Sequence, residues 1–178
     1  EDPANETLFA PGRNTSVEFR AGGLVYHLSE PVAGPKAPHP NARRVEPGAP
    51  RKVHDLYLDF VGANGNSIPT GGGQLRGTHS TFLKDQSEWK AGAKTFATVT
   101  YKELWPGIDL VYSGEKDELK YNFYVKPGAN PKLIRLAWRG ATSMGIDAAG
   151  ALRVTTPAGP VSDERPYVYQ ESAGRREE

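Results

Sequence analysis

The chain has 178 residues, with 22 Lys and Arg against 21 Asp and Glu, and no cysteine. Near-neutral charge excludes a nucleic-acid binder held by a basic stripe, and the basic runs, Arg43-Arg44 and Arg175-Arg176, are too short for a polybasic membrane anchor. Disulfides, zinc–thiolate sites and thiol nucleophiles are excluded too, and a chain of this length buries a core without them.

Twenty glycines and fifteen prolines predict many short elements joined by turns. Residues 1–15 read as a polar lead-in. Ser16–Arg20 and Leu24–Ser29 read as strands joined by a tight turn at Ala21-Gly22-Gly23. Residues 30–52 contain Pro31, Pro35, Pro38, Pro40, Pro47 and Pro50 and read as a long loop or insertion. In Val53–Val61, Leu56, Leu58 and Phe60 alternate with Tyr57 and Asp59, the period of a half-buried strand. Residues 63–73 read as turns, His79–Leu83 as a short strand and Thr95–Lys102 as a β-branched, aromatic strand.

Ile108–Lys126 carries the clearest pattern. Ile108, Leu110 and Tyr112 alternate with polar neighbours, a turn follows at Gly114–Asp117, and Leu119, Tyr121, Phe123 and Val125 alternate again. This is a hairpin with one wet face. A short helical turn near Asn130–Ile134 precedes a strand in which Ile134, Leu136 and Trp138 share a face. Met144–Asp147 and Ala151–Thr155 form a second hairpin around Gly150, and Tyr167–Glu171 reads as a last strand before a charged tail. About ten short strands with little helix predict an all-β fold: a two-sheet antiparallel β-sandwich, jelly-roll-like, forming one domain over residues 1–178.

WPGIDLVYS at 105–113 and LKYNFYVKPGANP at 119–131, with FVGAN at 60–64, FLKDQSEW ending at Trp89, and RPYVYQE at 165–171, carry a resemblance. Together they resemble a bacterial domain of unknown function that lies ahead of SBBP-type β-propeller repeats, or of other surface modules, in large exported proteins. The resemblance covers most of residues 53–171. It implies a β-rich fold and a secreted or cell-surface parent, and it supplies no catalytic residues. The family pattern tends to place an acidic pair in the second strand of the hairpin. Lys120 and Asn122 stand there instead, which weakens an enzymatic reading.

The sequence offers little catalytic chemistry. Asp55, Asp59, Glu103, Asp109, Asp117 and Glu118 read as a solvated face, not an acid/base pair. His27, His39, His54 and His79 lack metal-ligand spacing, and no GxSxG elbow exists. A structural calcium ion would find oxygen ligands only at residues 62–66 and Asp147, without an EF-hand or nonapeptide repeat. No other cofactor is implied.

The aromatic residues are the remaining signal. Trp89, Trp105, Tyr124, Tyr57 and Tyr169 are the ligand-binding candidates, because an aromatic face stacks on the apolar face of a sugar ring. Core filling is the competing role for each. The sequence thus predicts a non-catalytic binding or adhesion module whose partner is a polysaccharide or glycan. The alternatives are a spacer docking on neighbouring domains through Arg165-Pro166-Tyr167 and, more distantly, a glycan-active enzyme.

Overall fold

The computed structural model describes residues 8–12, 14–30, 52–81, 90–115, 118–172 and 175–177. Trp89, His39 and nearly all of the Pro-rich segment lie outside the described residues. Fourteen strands are present among the described residues. A five-stranded sheet has the order β1 (Leu8–Ala10), β2 (Thr15–Arg20), β3 (Gly23–Ser29), β4 (Val53–Phe60), β9 (Leu136–Arg139). A four-stranded sheet has the order β5 (Thr70–Thr81), β6 (Lys90–Trp105), β7 (Ile108–Glu115), β8 (Glu118–Val125). Neighbours are consecutive in sequence except β4 and β9, whose antiparallel register sets Tyr57 opposite Arg139 and Leu58 opposite Trp138.

The chain divides into two compact units. The first, residues 1–28 and 55–139, holds the two large sheets and the main core. Val17, Phe19, Leu24, Leu58 and Phe60 of one sheet meet Tyr101, Leu104, Trp105, Ile108, Leu110 and Tyr112 of the other. Edge-to-face rings knit this layer: Phe60 on Tyr101 at 5.3 Å and Phe19 on Tyr112 at 5.3 Å. The all-β sandwich expected from the alternating pattern is therefore observed, its core made of the apolar half of each strand.

The second unit, residues 29–54 and 140–178, holds β10 (Ser143–Ile146), β11 (Leu152–Thr156) and β12 (Gly159–Asp163) in one small sheet, and β13 (Gln170–Ser172) with β14 (Arg175–Glu177) in a hairpin. The turn at Asp147–Gly150 is stitched by the Asp147 carboxylate, which accepts from the N–H groups of Ala149 and Ala151 and pairs with Arg153. Gly150 takes φ +86°, the left-handed conformation the turn requires.

Sequence and structure part at β5. Gly71-Gly72-Gly73 reads as a turn, yet Gly71 and Gly72 pair with Val99 and Thr98 in a ladder. The Phe96 ring lies where a Gly71 β-carbon would stand, 2.5 Å from that position. The strand borrows its cover from the neighbouring aromatic instead of supplying its own. Tyr167 to Tyr169 is irregular, and the last strands fall after it. The helical turn is a 3-10 turn at Pro131–Leu133, capped by the Asn130 side chain, which accepts from the Lys132 N–H at 3.1 Å.

Candidate binding groove on the five-stranded sheet

Alternation sends Glu18 and Arg20 of β2, Val25 and His27 of β3, Asp55, Tyr57 and Asp59 of β4, and Arg139 of β9 to the face away from the core. Gly22 and Gly23 interrupt that face. Gly22 takes φ +80° in the β2–β3 turn. A β-carbon on Gly23 would run into the backbone carbonyl of Leu58, so only glycine lets β3 approach β4 here. The missing side chains leave an open depression of about 210 Å³ on the sheet face, lined by Arg20, Ala21, Gly22, Gly23, Leu24, Val25, Tyr57, Asp59 and Arg139.

The rim of the depression is held from several directions. The Tyr101 hydroxyl, coming from the other sheet, donates to the Arg20 carbonyl at 3.0 Å. The Phe60 N–H donates to the Gly22 carbonyl at 2.9 Å. Arg139 grips Asp59 with two hydrogen bonds, Nε to Oδ2 at 2.5 Å and Nη2 to Oδ1 at 3.0 Å, and its guanidinium lies 4.6 Å from the centroid of the Tyr57 ring. Arg20 grips Glu18 in the same forked way, at 2.7 and 2.6 Å. His27 bridges Asp55 at 2.8 Å and Glu18 at 3.4 Å.

These pairs set the electrostatics. The hydrogen bonds from Arg139 hold the Asp59 carboxyl below its usual range, and those from Arg20 do the same for Glu18. The guanidinium groups are pushed up by the same contacts. The charges of the two forked pairs, Asp59 with Arg139 and Glu18 with Arg20, cancel. Each guanidinium has five N–H donors and spends two on its carboxylate. The groove combines an aromatic wall, residual planar donors and two forked pairs whose charges cancel.

The sequence candidates separate in space. Tyr57 is half-buried in the groove wall. Trp105 is 1 % exposed, packs on Phe60 and Phe123, and donates its indole N–H to the Val61 carbonyl. A ring so enclosed presents no face to a ligand. The turn between β6 and β7 draws it inward, and its position beside Pro106-Gly107 gave no sign of that. Tyr124 is 56 % exposed on β8 of the four-stranded sheet, where it pairs with Asp109 of β7, away from the groove. Tyr169 belongs to the second unit, its ring 5.6 Å from Tyr167.

Asp59 was legible as an outward residue, but its pairing with Arg139 depends on a β4–β9 register across 80 positions. Glu103 and Asp109 meet at the β6–β7 turn. There Asp109 accepts from the Glu103 N–H at 2.7 Å and Glu103 pairs with Lys126. Both carboxylates are spent on fixing Glu103 at φ +48°. Of the calcium candidates, residues 62–66 and Asp147, Asn64 spends its side-chain oxygen on the Asn66 N–H, and Asp147 spends one oxygen on the N–H groups of its turn and the other on Arg153. Among the described residues, no group of three or more His, Asp and Glu side chains is arranged to hold a metal ion.

A family model for a domain of unknown function, DUF7948, matches residues 4–178, and the chain belongs to that family. No curated protein matches the chain. No solved structure matches it.

Proposed function

We propose that this DUF7948 member is a non-catalytic binding module that takes a neutral glycan in the groove beside Tyr57. The observation that carries the reading is the groove itself: an aromatic wall flanked by the forked Asp59–Arg139 and Glu18–Arg20 pairs over a floor opened by Gly23. A sugar ring presents an apolar face to an aromatic ring and hydroxyls to planar donors and acceptors. Cancelled charge favours a neutral ligand over an acidic one. The volume, below the roughly 300–1,000 Å³ of drug-sized pockets, suits one sugar ring of a longer chain.

The resemblance to domains ahead of SBBP-type repeats supports a secreted or cell-surface parent, in which such a module would serve adhesion. A non-catalytic role is supported by the engagement of Glu18, Asp55 and Asp59 with Arg20, His27 and Arg139. A glycan array and a pull-down on insoluble polysaccharides, with and without calcium, test the proposal. Saturable binding to neutral glycans, reduced at least about tenfold in Tyr57→Ala, is expected. Failure to bind any glycan would refute it.

A second reading is favoured by one observation. The Tyr167 and Tyr169 rings lie 5.6 Å apart in a tilted pair, 62 and 40 % exposed, and Val168 between them in sequence is 76 % exposed. An exposed apolar strip of this kind suits docking of the second unit on a neighbouring module of the parent.

A further inference from the structure

The four-stranded sheet outgrows its own partners. β7 accompanies β6 from Thr98 to Trp105. β5 and β6 remain paired well beyond that point, through Gln74 with Phe96, His79 with Ala93 and Thr81 with Lys90. Among the described residues, the outer part of the sheet is therefore a two-stranded ribbon. Among the described strands none pairs with the far edge of β5 over its 12 residues.

Such a ribbon is marginal by itself, and an open edge offers a row of backbone N–H and C=O groups to an added strand. Natural edges are blunted by shortness, proline, several charges or bulges. β5 is about twice the usual strand length, lacks proline and carries only Arg76 as a full charge. Two register shifts and a left-handed Gly73, at φ +62°, are the blunting it does have. Gly71, Gly73, Gln74, Leu75, Arg76 and Gly77 are exposed, Leu75 by 51 %.

Charge chooses among occupants. β5, and β6 as far as Lys102, contain Arg76, Lys90, Lys94 and Lys102 and no Asp or Glu. A second copy would set basic edge against basic edge, which is unfavourable across a strand pair. An acidic strand would be attracted. We infer that the free edge of β5 accepts an extended, acidic polypeptide segment of another protein as an added strand. Backbone hydrogen bonds give the affinity, and Arg76 and Lys94 select carboxylates. This surface is independent of the glycan groove, since it lies in the other sheet.

The test uses the full chain and fluorescent peptides about as long as β5, at roughly 0.15 M salt. One alternates Glu with Val and Thr, a second is the same peptide N-methylated at alternate backbone positions, and a third has Lys for Glu. The acidic peptide should bind, the N-methylated form should lose at least about tenfold in affinity, and the Lys peptide should not bind. Arg76→Glu and Lys94→Glu proteins, each checked for native tryptophan emission, should bind the acidic peptide at least about tenfold more weakly. Equal binding of the N-methylated peptide would reduce the surface to a charge patch and overturn strand addition. So would no binding at about 1 mM, or sedimentation showing a dimer that Arg76→Glu disrupts.

Discussion

Tyr101→Phe removes one oxygen from the centre of the first unit and leaves the ring. The ring is fully buried, and its hydroxyl donates to the Arg20 carbonyl at 3.0 Å, with the Gly23 carbonyl farther off at 3.4 Å. That single hydroxyl ties the four-stranded sheet to the β2–β3 turn that forms the groove rim. A net hydrogen bond of this type contributes about 0.5–1.5 kcal/mol. The ring's contacts with Phe60 and Tyr112 are unchanged, so no cavity cost is added. The expected loss is about 1 kcal/mol, or about 2–4 °C in Tm for a chain of this size. Tyr101→Ala, which empties the site, should cost about 3–5 kcal/mol. Urea unfolding followed by tryptophan emission, to which Trp105 and Trp138 of the same unit contribute, reads the difference at constant slope. The same variant should bind glycan a few fold more weakly, because the Arg20–Gly23 turn is loosened. A Tyr101→Phe protein indistinguishable from the parent in both measurements would refute the reasoning.

Further outcomes follow from the same geometry. Burial pushes the Tyr101 phenol far above its ordinary value, so the folded state resists ionisation that the unfolded chain accepts. The contribution of the Tyr101 phenol is complete below about pH 10 and declines as pH rises beyond it, and the Tyr101→Phe protein should decline less steeply in alkaline urea titrations. Glu18 and Asp59 are lowered by their arginines, so their contribution is present above about pH 4.5 and lost as pH falls through their depressed values. Acid titration of Asp59→Asn should show a shallower loss. Asp109→Ala removes the acceptor of the Glu103 N–H and should cost about 1–2 kcal/mol in urea unfolding, releasing the left-handed Glu103. Gly71→Ala drives a methyl group into the Phe96 ring and should cost about 1–3 kcal/mol, with most of that absent in a Phe96→Ala background. Hydrogen exchange across β5 and β6 would report the local change.

The sequence showed the sandwich wherever one strand carried its own signal. The alternation through Leu56, Leu58 and Phe60, and again from Ile108 to Phe123, placed buried and half-buried side chains on the inward face, while Val125 at the end of that run is 42 % exposed. It failed where a strand depends on a neighbour. β5 is built on glycines that Phe96 covers, so composition pointed to a turn. β12 contains Gly159 and Pro160, tolerated there because it lies at the edge of its sheet. The groove was half legible for the same reason. Tyr57 and Asp59 were visible as outward residues of one strand, while Arg139 reaches them only through strand pairing distant in sequence. Trp105 looked like a platform beside a Pro-Gly turn, yet its indole found an internal carbonyl and stayed inside.

The most direct measurement is an NMR titration of the isotope-labelled chain with neutral oligosaccharides. The amide resonances expected to move with increasing ligand are those of Gly22, Gly23, Leu24, Tyr57, Asp59 and Arg139. Saturable shifts confined to Tyr124 or to Tyr167–Tyr169, or no shifts with any neutral oligosaccharide, would contradict this expectation.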